Sequence, residues 1–365
     1  MTGARVVLAP DSFKGSATAA EAARAIAAGW RAVRPQDTLD LRPMADGGEG
    51  TLAAFAAAVP EARRMPVVVR GPTDRDVATE WLLLPDGLAV VELAATSGIT
   101  LLDTPRPLDA HTYGLGQAIA DALRHGVRGL LLALGGSSST DGGAGMLLAL
   151  GARVEDSHGA PIPPGAAGLE VVARVDLSSM AALPPLGATV LSDVTNPLLG
   201  PMGAAAVFGP QKGADQATIA RLDAALARFA ALVPVDPATA GAGAAGGTAF
   251  GLLAWGARVE SGAAAVGERI GLPCAVAHAD IVVTGEGRFD SQSAAGKAPS
   301  YVLGLATEYG ATAMLVAGLV DAPTAAFAAT TSLTDLAGDV AAARTHAPRW
   351  LEVAGAHLAR ACSQR

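Results

Sequence analysis

The chain has 365 residues, 51% hydrophobic, 16% charged and 4% aromatic, with a formal net charge of −8. That length predicts two domains, and apolar content dominated by Ala predicts close-packed helices, with no aromatic-rich binding face. The acidic balance and the lack of a basic patch exclude a nucleic-acid partner. Two distant cysteines, Cys274 and Cys362, make neither a disulfide framework nor a metal-ligand spacing, and suit a reducing compartment. No apolar run approaches the ~18 residues of a membrane span. The run Val6-Val7-Leu8-Ala9-Pro10 is too short for a signal-peptide core. A cytoplasmic protein with no membrane partner is expected.

In chain order, an apolar strand at 5–9 runs into Asp11-Ser12-Phe13-Lys14-Gly15-Ser16. A helix at 17–33 follows, capped by Ser16 or Thr18, and then a strand at 38–42. Asp46-Gly47-Gly48-Glu49-Gly50 opens a helix at 50–58. Runs at 67–69, 77–84 and 88–92, joined by Gly71-Pro72-Thr73-Asp74 and Pro85-Asp86-Gly87, predict an antiparallel meander where a second domain enters. A helix at 113–125 and a strand at 129–134 lead into a Gly/Ser loop at 135–143 and a helix at 145–150. A strand at 188–191 precedes Ser192-Asp193-Val194-Thr195-Asn196-Pro197-Leu198, and a helix spans 215–232. The Gly/Ala stretch 239–251 reads equally as a linker or as a tight packing loop. A strand at 280–284 meets Gly285-Glu286-Gly287-Arg288-Phe289-Asp290, and a helix at 299–309, a strand at 313–317 and a helix at 348–360 complete the chain. This alternation predicts an α/β fold with a largely parallel sheet.

No G-x-x-x-x-G-K-[ST] loop, G-x-G-x-x-G after the first strand, or G-x-S-x-G elbow is present. The six histidines show no metal or catalytic spacing. Phosphate binding therefore falls to other loops. In Gly135-Gly136-Ser137-Ser138-Ser139-Thr140-Asp141-Gly142-Gly143, backbone N–H groups before a helix suit an anion, although a capped turn without ligand reads the same. Asp46 and Glu49 in the first Gly loop suit a cation or a substrate hydroxyl, or a helix cap. Asp11 and Lys14 stand beyond a strand's carboxyl end, where open α/β sheets bind ligands. Asp193 and Asn196 suit one metal or hydroxyl, or an Asx-turn before Pro197. Lys212, in Gly209-Pro210-Gln211-Lys212-Gly213, suits a phosphate or solvent. The densest anomaly is Glu286, Arg288, Asp290 and Lys297 in one stretch of a charge-poor chain.

These loops, in this order, resemble those of the glycerate kinase family whose members lack a Walker loop. The matching segments are Pro10-Asp11-Ser12-Phe13-Lys14-Gly15, Met44 to Thr51, Gly135-Gly136-Ser137 with Asp141-Gly142-Gly143, and Asp193 to Leu198. They continue through Val207 to Ala214, Gly243-Ala244-Ala245-Gly246-Gly247, and Thr284-Gly285-Glu286-Gly287-Arg288 with Asp290, Gly296 and Lys297. Any one motif is weak, but seven in register across nearly the whole chain are specific. The chain departs from the family's usual Ser-Ala-Thr-Asn-Asp at Ser138, Ser139 and Thr140, and from its usual Thr and Glu at Leu115 and Gln117.

The resemblance implies Mg²⁺- and ATP-dependent phosphorylation of D-glycerate, with 2-phosphoglycerate the expected product. It implies a Rossmann-like parallel-sheet domain, 1–66 with 280–365, and an inserted mixed α/β domain, 67–279, with an active-site cleft between them. The expected roles are Asp193 or Asp46 as base and Lys14 and Lys297 as charge-neutralising catalytic groups. Asp11, Ser12, Arg288 and Asn196 are expected on glycerate, and Glu286 and Asp290 on the metal. Gly135, Gly136, Ser137, Ser138, Ser139, Asp141, Gly142 and Lys212 are expected on the phosphates. The alternatives are a non-catalytic protein binding a small anion or nucleotide, and a kinase of a related hydroxy acid.

Overall fold

The computed structural model describes residues 3–291 and 297–363. In chain order the strands are β1 (Arg5–Pro10), β2 (Thr38–Leu41), β3 (Arg63–Arg70), β4 (Asp76–Leu83), β5 (Leu88–Glu92), β6 (Gly129–Ala133) and β7 (Arg153–Glu155). They continue with β8 (Arg174–Asp176), β9 (Ala188–Leu191), β10 (Arg258–Glu260), β11 (Ile281–Phe289), β12 (Thr312–Val320) and β13 (Ala329–Ser332). The chain divides into two compact units, one of Met1–Asp46, Ala53–Pro60 and Ser261–Arg365, the other of Gly47–Leu52 and Glu61–Glu260.

The first unit is built on a parallel sheet in the order β13-β12-β11-β1-β2. Its inner strands are continuous apolar runs because helices cover both faces, so alternation is absent. Val6, Leu8, Val283 and Val316 are buried in one core, and each such side chain stabilises the fold by about 1.5–3 kcal/mol. Helix Ala19–Val33 starts at a capping box: the Glu21 backbone N–H donates to the Thr18 hydroxyl, and the Thr18 N–H donates to the Glu21 carboxylate. It packs against helix Ala347–Ser363 through glycine. A Cβ on Gly29 would stand 1.8 Å from the Glu352 carbonyl oxygen, and one on Gly355 would stand 2.2 Å from that of Ile26. Helices Gly262–Arg269 and Leu272–Ala277 belong here too, ahead of the expected bound at 279/280. The reason is packing: Gly267 fits against the ring of Tyr301, on helix Ala298–Tyr309.

The second unit holds a six-stranded sheet in the order β10-β9-β6-β5-β4-β3. β10, β9, β6 and β5 are parallel, and β5, β4 and β3 form the antiparallel meander that the turn residues predict. The antiparallel pair of β7 with β8 has no counterpart among the predicted elements, since three-residue strands carry too little periodicity to read. Segment 47–52 joins this unit because it is bonded to it. Gly135 N–H donates to the Gly47 carbonyl at 3.2 Å, and the Gly50 and Leu52 N–H groups donate to the Glu92 carboxylate at 3.1 and 2.9 Å.

The ambiguous stretch 239–251 is no linker. Its second half enters helix Ala244–Trp255 and is buried. Ala245, Gly246 and Gly247 hold φ of 54°, 67° and 84°, a left-handed turn rare for L-residues. Among the described residues, no helix is long and apolar enough to cross a membrane.

Candidate functional site

In the first unit the sheet order reverses between β1 and β11, and a crevice at the carboxyl ends of such strands is where α/β sheets bind ligands. A cavity of about 380 Å³ lies there. Asp11, Ser12 and Lys14 reach it from the loop after β1, Asp46 from the segment after β2, and Glu286, Arg288 and Asp290 from the end of β11 with its following turn. Lys297, the N-cap of helix Ala298–Tyr309, lines it too. Gly296, Gln292 and Ser293 lie outside the described residues. Sequence order therefore separates by more than 270 positions groups that the topology gathers into one cavity, as the parallel pairing of Pro10 with Gly285 shows.

The acids are crowded. Asp11 is 5% exposed, and burial drives its carboxyl well above the usual carboxylate range. The neighbouring carboxylate of Asp46, and less strongly that of Glu286, push the same way. The Ser12 backbone N–H, donating to Asp11 Oδ1 at 2.5 Å, and the Lys14 ammonium pull it back. Glu286 is buried at 8% exposure. Arg288 is more open, and its Nη2 lies 2.7 Å from Asp321 Oδ2, so an incoming carboxylate would share the guanidinium with Asp321. Close packing puts these strand ends side by side. A Cβ on Gly318 would stand 2.3 Å from the Gly287 carbonyl oxygen, which only glycine avoids. Phe13, Leu319, Leu333 and Val340 add apolar surface to the same cavity.

In the second unit the Gly/Ser loop follows β6, as its sequence predicts. Gly136 is exposed and Gly135 half-buried, and everything from Ser137 to Ala144 is buried. The Ser138 N–H and hydroxyl both donate to the Ser97 carbonyl, at 3.1 and 2.8 Å. Asp141 Oδ2 accepts from the Thr112 N–H at 2.9 Å, the Thr112 hydroxyl at 2.8 Å and the Gly145 N–H at 3.2 Å. Its Oδ1 accepts from the Gly143 N–H at 3.2 Å, so the carboxylate is spent on the loop and the helix start. Gly142 N–H donates to the Gly246 carbonyl at 3.1 Å. The hydroxyls of Ser139 and Thr140 are buried with no hydrogen-bond partner among the described residues.

Lys212 is 1% exposed. Its Nζ donates to the Ser137 hydroxyl at 2.9 Å and to the Ser139 carbonyl. Burial pushes this ammonium down to about 7, with the Asp141 carboxylate pulling the other way. Asp193 and Asn196 are half-buried after β9. The Asn196 amide donates to the Met202 carbonyl at 2.8 Å, which leaves its side-chain oxygen for other contacts.

Three further residues, outside the predicted motifs, hold these sites. Glu92 ends β5 and is buried; burial raises its carboxyl above the usual range against the pull of the Leu52 and Gly50 N–H groups. An acid closing an otherwise apolar strand was the available signal. Thr112 anchors Asp141, and no local pattern marks it. Arg344 lines the first unit's cavity from helix Val340–Thr345, which the sequence reading leaves unassigned.

The sequence profile of the glycerate kinase family matches residues 6–363. A glycerate kinase of Halalkalibacterium halodurans is 43% identical over 323 residues, covering 86% of this chain and 85% of that protein. Glycerate 2-kinase of Escherichia coli K12 is 40% identical over 324 residues, covering 86% and 85%. A crystal structure described as a glycerate kinase 2 from Salmonella typhimurium LT2 superposes with a TM-score of 0.81 at 37% identity, covering 99% of both chains.

Proposed function

The chain belongs to the glycerate kinase family, and from that premise we propose that this kinase transfers the γ-phosphoryl group of ATP to D-glycerate and forms 2-phosphoglycerate. One observation carries the chemistry: Asp11, Asp46 and Glu286 crowd one cavity with Lys14, and their mutual repulsion helps keep the Asp11 carboxyl well above its ordinary range. The position of transfer follows the relative from Escherichia coli, named a glycerate 2-kinase.

In the reaction a carboxylate base takes the proton of the glycerate hydroxyl. The oxygen then forms its bond to the γ-phosphorus as the bond to the β,γ-bridging oxygen breaks, and ADP leaves. Such a transition state is loose, so positioning and charge neutralisation supply most of the acceleration. Asp46 is the base candidate in the cavity, and Asp193 is the candidate in the second unit. Lys14 and Lys297 neutralise phosphate charge, and Arg288 holds the glycerate carboxylate with Ser12 beside it. The phosphate contacts expected of the Gly/Ser loop fall to Gly136, its exposed residue, since the Gly135 N–H is bonded to Gly47.

Magnesium fits the acid cluster. Among the described residues no three His, Cys, Asp or Glu side chains stand close enough to hold a metal by themselves. Mg²⁺ in kinase sites needs only one or two carboxylates beside phosphate oxygens and water. Glu286 and Asp290 are the candidate ligands, and a cation beside them would also relieve the repulsion on Asp11, which comes first from Asp46 and less strongly from Glu286. Bound there, the ion supplies positive charge against the phosphates.

The test is ADP release in a coupled assay with D-glycerate, with and without Mg²⁺. Release that needs both supports the reading. ATP turnover indifferent to glycerate, or none with D-glycerate and turnover with another hydroxy acid, contradicts it.

A further inference from the structure

Lys212 sits in a single tight turn, Pro210–Lys212, followed by Gly213 at φ 84°. A lysine that binds phosphate as a point charge offers its ammonium at the end of a solvated stem. Here the ammonium points inward and donates to two atoms two residues apart in the Gly/Ser loop, the Ser137 hydroxyl and the Ser139 carbonyl. Space around it is closed. A Cβ on Gly246 would stand 2.9 Å from Lys212 Nζ and 2.1 Å from the Ser139 carbonyl oxygen. The left-handed turn at Ala245, Gly246 and Gly247 thus lets two backbone segments and one ammonium meet at a point.

The loop does little to hold itself there. The Ser139 and Thr140 hydroxyls make no hydrogen bond among the described residues, although buried hydroxyls normally do. The bonds that fix the segment from 137 to 142 come from outside it: Lys212 at Ser137 and Ser139, Ser97 at Ser138, Thr112, Gly143 and Gly145 at Asp141, and Gly246 at Gly142. A buried ammonium is costly unless hydrogen-bonded and charge-balanced, and the loop supplies both, the balance coming from Asp141.

We propose that Lys212 is a positioning residue that sets the path of the 137–142 segment from inside, and not a ligand of the phosphates. The consequence for turnover rests on the kinase reading; the consequence for the loop does not.

Amide hydrogen exchange on the nucleotide-free protein reads the loop directly. Lys212→Met is expected to speed exchange of the 137–142 amides by about tenfold or more, since a hydrogen bond from a charged group is lost, while β5, β6 and β9 keep their protection. With ATP and glycerate the same variant is expected to lose kcat more than it raises KM for ATP. Ser137→Ala is expected to add little in the Lys212→Met background, because both changes break one contact. Unchanged loop exchange, with a raised KM that adds to the Ser137→Ala effect, would make Lys212 a phosphate ligand and overturn the proposal. Faster exchange across the whole unit would also overturn it, reducing the residue to general fold stability. Should Lys212→Met fail to fold, Ser137→Ala decides: local acceleration supports the proposal and none refutes it. Should the wild-type protein not turn over glycerate, the exchange result stands alone, so the two readings fail separately.

Discussion

The acid-rich end of β1 and β11 and the Gly/Ser loop after β6 occupy equivalent places, each at the carboxyl edge of parallel strands. They are stabilised in opposite ways. In the first unit the charges face a cavity, and burial, with the Asp46 and Glu286 carboxylates, raises the proton affinity of Asp11. In the second unit the charges of Lys212 and Asp141 turn inward, and hydrogen bonds spend them on backbone and hydroxyls. One region holds a crowded acid whose repulsion the proposed cation would relieve. In the other, the Lys212 and Asp141 charges are bonded to the loop's own backbone and hydroxyls.

The sharpest way to break this contrast is to remove a base. If Asp46 or Asp193 accepts the hydroxyl proton, its change to Asn lowers kcat by about 10²–10⁴-fold with little change in KM, in steady-state assays. Near-wild-type kcat in both variants would leave the reaction without either base. Asp11→Asn comes next. It is expected to cut kcat/KM about a hundredfold by weakening the cation site, while raising the melting temperature of the metal-free protein because the crowded carboxylate is gone. The sign of its pH dependence is fixed. With a folded pKa above the ordinary 3.8, the native state holds more protons than the unfolded state in the window above that value. Wild-type stability therefore falls there with rising pH relative to Asp11→Asn, and urea titrations across that window check it.

The second unit predicts effects on stability. Thr112→Val removes a hydroxyl that donates to Asp141 and accepts from the Met146 N–H. It is expected to cost about 1–3 kcal/mol in urea unfolding, as buried groups lose partners. A further effect appears from neutral to alkaline pH. Lys212 titrates at about 7 when folded against 10.5 ordinarily, so between these values the unfolded chain binds the extra proton. Wild-type stability should rise with pH across that window relative to Lys212→Met, and a flat difference would show the ammonium is not buried in solution.

Much of the first unit's cavity lining was legible in the sequence. Asp11, Lys14, Glu286, Arg288 and Asp290 stand in glycine-bearing ends of apolar runs, and a strand's carboxyl end is a local signal. The meander was legible too, because Gly71-Pro72-Thr73-Asp74 and Pro85-Asp86-Gly87 dictate turns. The direction in which a side chain points was not. Lys212 reads as a solvent or phosphate lysine because its burial depends on Gly246 and Ser139, distant in sequence. Asp141 reads as a loop acid because Thr112, which consumes it, lies 29 residues away. The left-handed turn at Ala245 goes against intrinsic preference and is imposed by packing.

The most direct measurement is phosphorus NMR of the products formed from ATP, Mg²⁺ and D-glycerate, with each component omitted in turn. The account predicts a new phosphate-ester resonance coupled to the proton on the central carbon, appearing only when all three are present. An ester on the terminal carbon would contradict the site of transfer. No ester, with ATP intact and the protein folded, would contradict the assignment of this chain as a glycerate kinase.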